Sequence, residues 1–112
     1  MRVSDGQNGA RNALGFAMKA GKVASGDFAV DKALKSGRAR LIVIDADASE
    51  NTKKRWRDAC SYRGIPLVTV RDMGLAIGKS ARIVAAITDE GFSAMLLRNC
   101  SENNADYYGG EE

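Results

Sequence analysis

Residues 22–45 read Lys-Val-Ala-Ser-Gly-Asp-Phe-Ala-Val-Asp-Lys-Ala-Leu-Lys-Ser-Gly-Arg-Ala-Arg-Leu-Ile-Val-Ile-Asp. In order, they predict a short strand, a glycine turn, a basic helix and a buried strand. Val23-Ala24 is the strand and Ser25-Gly26-Asp27 the turn; residues 27–36 form the helix, with Val30, Ala33 and Leu34 inward and Gly37 at its end. The run Leu41-Ile42-Val43-Ile44 is apolar without alternation, as in a strand buried on both faces of a sheet. The turn feeds directly into the helix, so unpaired backbone N–H groups and the positive end of the helix dipole face outward. Lys32 and Lys35 follow one to two turns on. Such a surface suits an anion, although an ordinary α/β turn has the same local pattern.

Outward from this stretch, helix and strand alternate. Ala10, Ala13, Leu14, Ala17 and Met18 recur at helical spacing behind a capping Asn8, and Gly21 stops that first helix. Ser49 caps a third helix that runs to Arg63, with Thr52, Trp56, Ala59 and Cys60 on its inner face and Gly64 as its stop. Residues 65–70 predict a strand opening on Pro66, where a missing N–H matters least. A short helix over Met73–Ile77, a buried strand over 83–88 and a last helix from Asp89-Glu90-Gly91, with Phe92, Met95 and Leu96 on one face, complete the series. Helices on both faces of a mixed four-stranded sheet make an α/β fold, a three-layer α/β/α sandwich.

The chain of 112 residues is long enough for one core without metal or disulfide. Its 45% apolar and 28% charged residues are those of a globular domain, and the polar N-terminus and short apolar runs predict a cytoplasmic protein. Cys60 and Cys100 lack a Cys-x-x-Cys spacing and are expected reduced and packed. Charge is unevenly spread. Residues 1–100 hold all 17 Lys and Arg against 10 of the 14 acids, a surplus of seven, and the remaining four acids lie in residues 101–112. We therefore expect a basic domain over 1–100, suited to a polyanion, and an acidic disordered tail over 101–112.

The chain has no histidine, which removes the commonest general base, the Ser-His and Cys-His pairs and the usual zinc sites. Asp45 and Asp47, at the end of the central strand, could hold Mg²⁺ for a nucleotide-dependent enzyme, or could be loop acids beside the Ser49 cap. Gly74-Leu-Ala-Ile-Gly78-Lys79-Ser80 ends like a nucleotide-binding P-loop. Its spacing is one residue short, and a helix precedes it where the motif needs a strand. The expectation is no enzyme, no metal and no cofactor. In the third helix, Lys53, Lys54, Arg55, Arg57 and Arg63 form a further basic cluster, read either as a solvated face or as a second contact.

Several spaced residues carry a family resemblance. They are Ala20-Gly21-Lys22-Val23-x-x-Gly26, Lys32-Ala33-Leu34-x-x-Gly37-x-Ala39-x-Leu41-Ile42-Val43-Ile44-x-x-Asp47-Ala48-Ser49-x-Asn51-Thr52, Gly64-Ile65-Pro66, Leu75-x-x-x-Gly78-Lys79 and Val84-Ala85-Ala86-Ile87-Thr88-Asp89-x-Gly91-Phe92-x-x-Met95. Over residues 8–98 this resembles the YlxQ-type bacterial proteins of the kink-turn-binding superfamily of ribosomal and small nucleolar ribonucleoproteins, which includes large-subunit ribosomal protein seven-Ae. The resemblance implies a monomeric protein that binds structured RNA, ribosomal or another kink-turn RNA, where a duplex bends sharply beside a bulge. It implies a role in translation, with no membrane and no small-molecule substrate.

Carried over by position, the implied RNA-binding residues are Lys22, Ser25, Gly26, Asp27, Phe28, Ala29, Lys32 and Lys35, with Asp47, Ala48, Ser49 and the loop Lys79, Ser80, Ala81, Arg82 at the flanks. Asp27 and the neighbouring amides are expected to cap the helix and meet the RNA. The ribosomal members carry Gly-x-Asn-Glu at the turn and read guanines with the last two side chains. Here those positions are Phe28 and Ala29, so phosphate positioning can persist where base readout changes. Phe28 either stacks on an unpaired base or packs into the core at the helix start. A protein-interaction adaptor on the same fold is the alternative reading.

Overall fold

The computed structural model describes residues 8–79, 81–102 and 107–108. Its elements run α1 (Asn8–Lys19), β1 (Val23–Ser25), α2 (Asp27–Lys35), β2 (Leu41–Asp45), α3 (Glu50–Arg63), β3 (Leu67–Val70), α4 (Met73–Ile77), β4 (Val84–Ile87), α5 (Glu90–Glu102) and β5 (Tyr107–Tyr108). Helix α1 begins at Asn8, which therefore stands inside the first turn and not before it. Pro66 precedes β3 and joins the sheet through its carbonyl alone, which accepts from Ile42 N–H at 3.0 Å.

The strand order is β1-β4-β2-β3, with the two-residue β5 added at the β3 edge. β4 is antiparallel to both β1 and β2, β2 is parallel to β3, and β5 pairs antiparallel with β3. The four-stranded mixed sheet is thus as expected. Of the acidic segment 101–112, residues 103–106 and 109–112 lie outside the described residues.

Strand alternation divides the core into two layers. Leu41 and Val43 of β2, with Val68, Val70, Ala85 and Ile87, pack against Leu14 and Ala17 of α1, Met73 and Ile77 of α4, and Leu96 and Cys100 of α5. Ile42 and Ile44, with Leu67, Val84 and Ala86, pack against Val30, Ala33 and Leu34 of α2 and Trp56 and Cys60 of α3. Every residue of Leu41–Ile44 is fully buried, which is why the run is apolar without alternation. Trp56 is core, with the Arg55 guanidinium 4.4 Å from its ring centroid. Both cysteines are free and buried, and loss of water pushes the Cys60 thiol up to about 12 and the Cys100 thiol up to about 11. No helix among the described residues is long and apolar enough to cross a membrane.

Candidate nucleic-acid interface

Because β1 and β2 both run antiparallel to β4, their C-terminal ends meet its start at one end of the sheet. Two backbone hydrogen bonds tie the turns there. Gly26 N–H donates to Val84 O at 3.0 Å, and Asp45 N–H to Ile83 O at 2.8 Å. The loop entering β4 folds onto the same place, where Arg82 Nε donates to Ser25 Oγ at 3.2 Å. Its guanidinium lies over Gly26, so that a Cβ at that position would stand 3.5 Å from Nε. Three segments distant in sequence thus converge: the turn after β1, the turn after β2 and Arg82-Ile83 before β4.

Gly26 is the N-cap of α2, with φ 95° and ψ 156°. That backbone conformation is open essentially to glycine alone. The Gly26 carbonyl accepts the first helical bond, from Val30 N–H at 3.0 Å, so the N–H groups of Asp27, Phe28 and Ala29 precede the helical ladder. Gly26 has no side chain with which to cap them. The expected cap by Asp27 is not made. As the first residue of α2, Asp27 points its carboxylate to Arg55 of α3 at 3.3 Å, across 28 residues of chain.

Phe28 does not pack into the core. It is 82% exposed, because α2 buries its opposite face through Val30, Ala33 and Leu34. Phe28, Asp31, Lys32, Lys35 and Ser36 line a shallow depression on the outer face of the helix. Lys32 is exposed, and Lys35 is held by Asp31 at 3.0 Å. The outer face of α2 therefore runs from open amides and an aromatic ring at its start, with the Arg82 guanidinium beside the turn, to two ammonium groups in its last turn.

Other expected residues are placed differently. Lys22 stands at the far end of β1, where its carbonyl accepts from Thr88 N–H at 2.9 Å, about 10 Å along the strand from the turn. After β2, Asp47 is exposed and Ala48 buried, so Ala48 offers backbone alone. Ser49 is occupied as the cap of α3, its Oγ accepting from Thr52 N–H at 3.1 Å. Lys79, Ala81 and Arg82 are exposed, and Ser80 lies outside the described residues.

Asp45 serves the fold: Oδ1 accepts from Asp47 N–H at 2.8 Å and Oδ2 from Met73 N–H at 3.2 Å, which starts α4. Among the described residues, no group of three His, Cys, Asp or Glu could hold a metal. Gly78 is the left-handed C-cap of α4 at φ 73°, and Lys79 N–H closes that helix on Gly74 O at 2.9 Å. Gly78 and Lys79 thus end a helix where a P-loop would begin one. In α3, Lys54 pairs with Asp58 at 2.8 Å and Lys53 with Glu50 at 3.7 Å, while the helix as a whole stays basic, with Arg57 and Arg63 in addition to Arg55. Arg55 is the residue that sequence reasoning did not connect to the site, since nothing local signals its reach to Asp27.

The model of the ribosomal protein L7Ae/L30e/S12e/Gadd45 family matches residues 9–97. The RNA-binding protein YlxQ of Bacillus subtilis (strain 168) is 42% identical over 87 residues, covering 75% of this chain and 87% of that protein. Among solved structures, a protein of unknown function from Bacillus halodurans C superposes with a TM-score of 0.77 at 34% identity, over 82% of this chain and 96% of that one. The Giardia lamblia 15.5kD RNA binding protein shares the fold, with a TM-score of 0.70 at 20% identity over 93% of this chain and 92% of that one.

Proposed function

The chain belongs to the ribosomal protein L7Ae/L30e/S12e/Gadd45 family, and from that premise we propose that it is a non-enzymatic RNA-binding protein that seats kinked or bulged structured RNA on the turn and helix after β1. The observation that carries this reading is the convergence at one sheet end of the Gly26 turn, the open amides of α2 and Arg82, with Phe28 and Lys32 along the same exposed face of the helix. Gly26 has no side chain to hold the RNA backbone away, and the Asp27, Phe28 and Ala29 N–H groups offer donors to phosphate oxygens. Lys32 neutralises a phosphate one turn on, with Lys35 behind it. Lys79 and Arg82 clamp one flank, while Asp47, Ala48 and Ser49 border the other through main chain. Binding belongs to residues 1–100, and the partner is ribosomal or other kink-turn-like RNA met by a monomer in the cytoplasm.

The test compares gel shifts of a kink-turn RNA and its straight duplex control at two salt concentrations. The proposal expects the kinked RNA to be retained more tightly at both, with both affinities falling as salt rises. Equal retention of the two RNAs would refute recognition of the kink. Failure to retain either at the lower salt would refute RNA binding.

A further inference from the structure

We propose that Phe28 is a stacking platform for one unpaired base, so that this chain meets its RNA through a base face where an edge contact would otherwise specify sequence. The inference rests on the RNA-binding reading above. At about 100° per residue, Phe28 lies roughly opposite Val30, on the face of α2 away from its buried residues. A ring 82% exposed in the first turn of a helix leaves a large apolar surface in water. Exposure alone is not distinctive, since Tyr62 is 86% and Leu75 75% exposed. The surroundings of Phe28 are what differ.

The ring is two residues from the Gly26 turn and one turn from Lys32, and it shares its shallow depression with Lys35 and Ser36. An aromatic floor edged by the Lys32 ammonium and by Lys35, the latter paired with Asp31, and adjoining open amides has what a single-stranded segment requires: a face for the base and a net positive charge for its phosphates. Phenylalanine has no hydrogen-bonding atom, and neither does the side chain of its neighbour Ala29. The contact therefore selects an unstacked base, which a perfect duplex does not offer, and tolerates its identity. Purines gain most through their larger face.

The experiment measures the dissociation constants of the full chain and of Phe28→Ala, Phe28→Leu and Phe28→Trp at one salt concentration. The probe is a bulged-duplex RNA carrying adenine, uracil or an abasic residue at each bulge position in turn. Because the ring makes no core contact, all variants should melt with the parent. Stacking predicts that Phe28→Ala and Phe28→Leu bind about 5- to 150-fold more weakly and that Phe28→Trp binds at least as tightly as the parent. It also predicts that an abasic residue at one bulge position costs the parent a similar factor and costs Phe28→Ala nothing further.

If Phe28→Leu binds like the parent, the contact is merely apolar and stacking is overturned. If the parent prefers bulged RNA and Phe28→Ala binds equally well, the platform is overturned while RNA binding stands. If the parent retains no RNA, the functional reading fails first and the platform with it.

Discussion

Replacing Gly26 by alanine tests the geometry of the turn, and the structure sets the size of the effect. Gly26 holds φ 95° and ψ 156°, where a residue with a Cβ carries a strain of about 1–3 kcal/mol. Crowding adds little, since the new Cβ would meet only the Arg82 side chain, at 3.5 Å or more. Relaxing the strain would mean giving up the Gly26 N–H bond to Val84 O, itself worth about 1 kcal/mol. Alanine also stiffens the unfolded chain, which returns about 0.4–1 kcal/mol. The net loss should be about 1–2 kcal/mol, or roughly 4–8 °C in Tm for a domain of this size.

Urea unfolding followed by Trp56 fluorescence measures it, because the single tryptophan is 1% exposed and reports the core directly. Asparagine sharpens the comparison. It tolerates the left-handed region, so Gly78→Asn at φ 73° and ψ 22° should cost less than Gly78→Ala, whereas Gly26→Asn should gain nothing over Gly26→Ala. An unchanged midpoint for Gly26→Ala, or a rescue by asparagine equal to that at Gly78, would refute the reasoning.

Ser49→Ala removes the cap of α3 and should lower stability by about 1 kcal/mol in the same urea assay. Asp45→Ala orphans the Asp47 and Met73 amides and should cost about 1–3 kcal/mol, while Mg²⁺ with nucleotide should leave the parent's melting temperature where it was. The cysteine thiols, raised to about 12 and about 11 against an ordinary 9.0, should resist a thiol reagent at pH 8 in the native protein and react on unfolding. Their burial stabilises the fold fully below pH 9. As the pH rises from there towards 11–12, the unfolded chain loses thiol protons that the folded chain keeps, so stability should fall, and Cys60→Ala should flatten that slope.

What the sequence made legible is what short-range pattern controls. The unbroken Leu41–Ile44 run announced a strand buried on both faces, and Val30, Ala33 and Leu34 at helical spacing marked the inner side of α2. Ser49 and Gly64 bracketed α3, and Met73–Ile77 formed as read. Misplaced residues were those whose position depends on tertiary partners. Asp27 looked like a cap because such residues usually are, but Arg55 reaches it from another helix. Phe28 was open to a core reading because an apolar residue carries no sign of which helical face will be covered.

Lys22 adjoins the turn in sequence yet stands at the other end of a three-residue strand, since an extended chain separates its ends faster than a helix does. The Arg82 contact with Ser25 and the Asp45 contact with Met73 span 57 and 28 residues, and only the folded sheet brings them together.

The claim that RNA lies on the turn after β1 and along α2 is tested most directly by the salt dependence of its affinity, measured for the parent and for Lys32→Ala. Lys32 is exposed, so its removal should spare the fold. If its ammonium neutralises a phosphate, Lys32→Ala should bind more weakly by a similar factor across RNA sequences, and the slope of log affinity against log salt should become shallower by about 1. An unchanged slope with unchanged affinity would put the RNA elsewhere on the molecule.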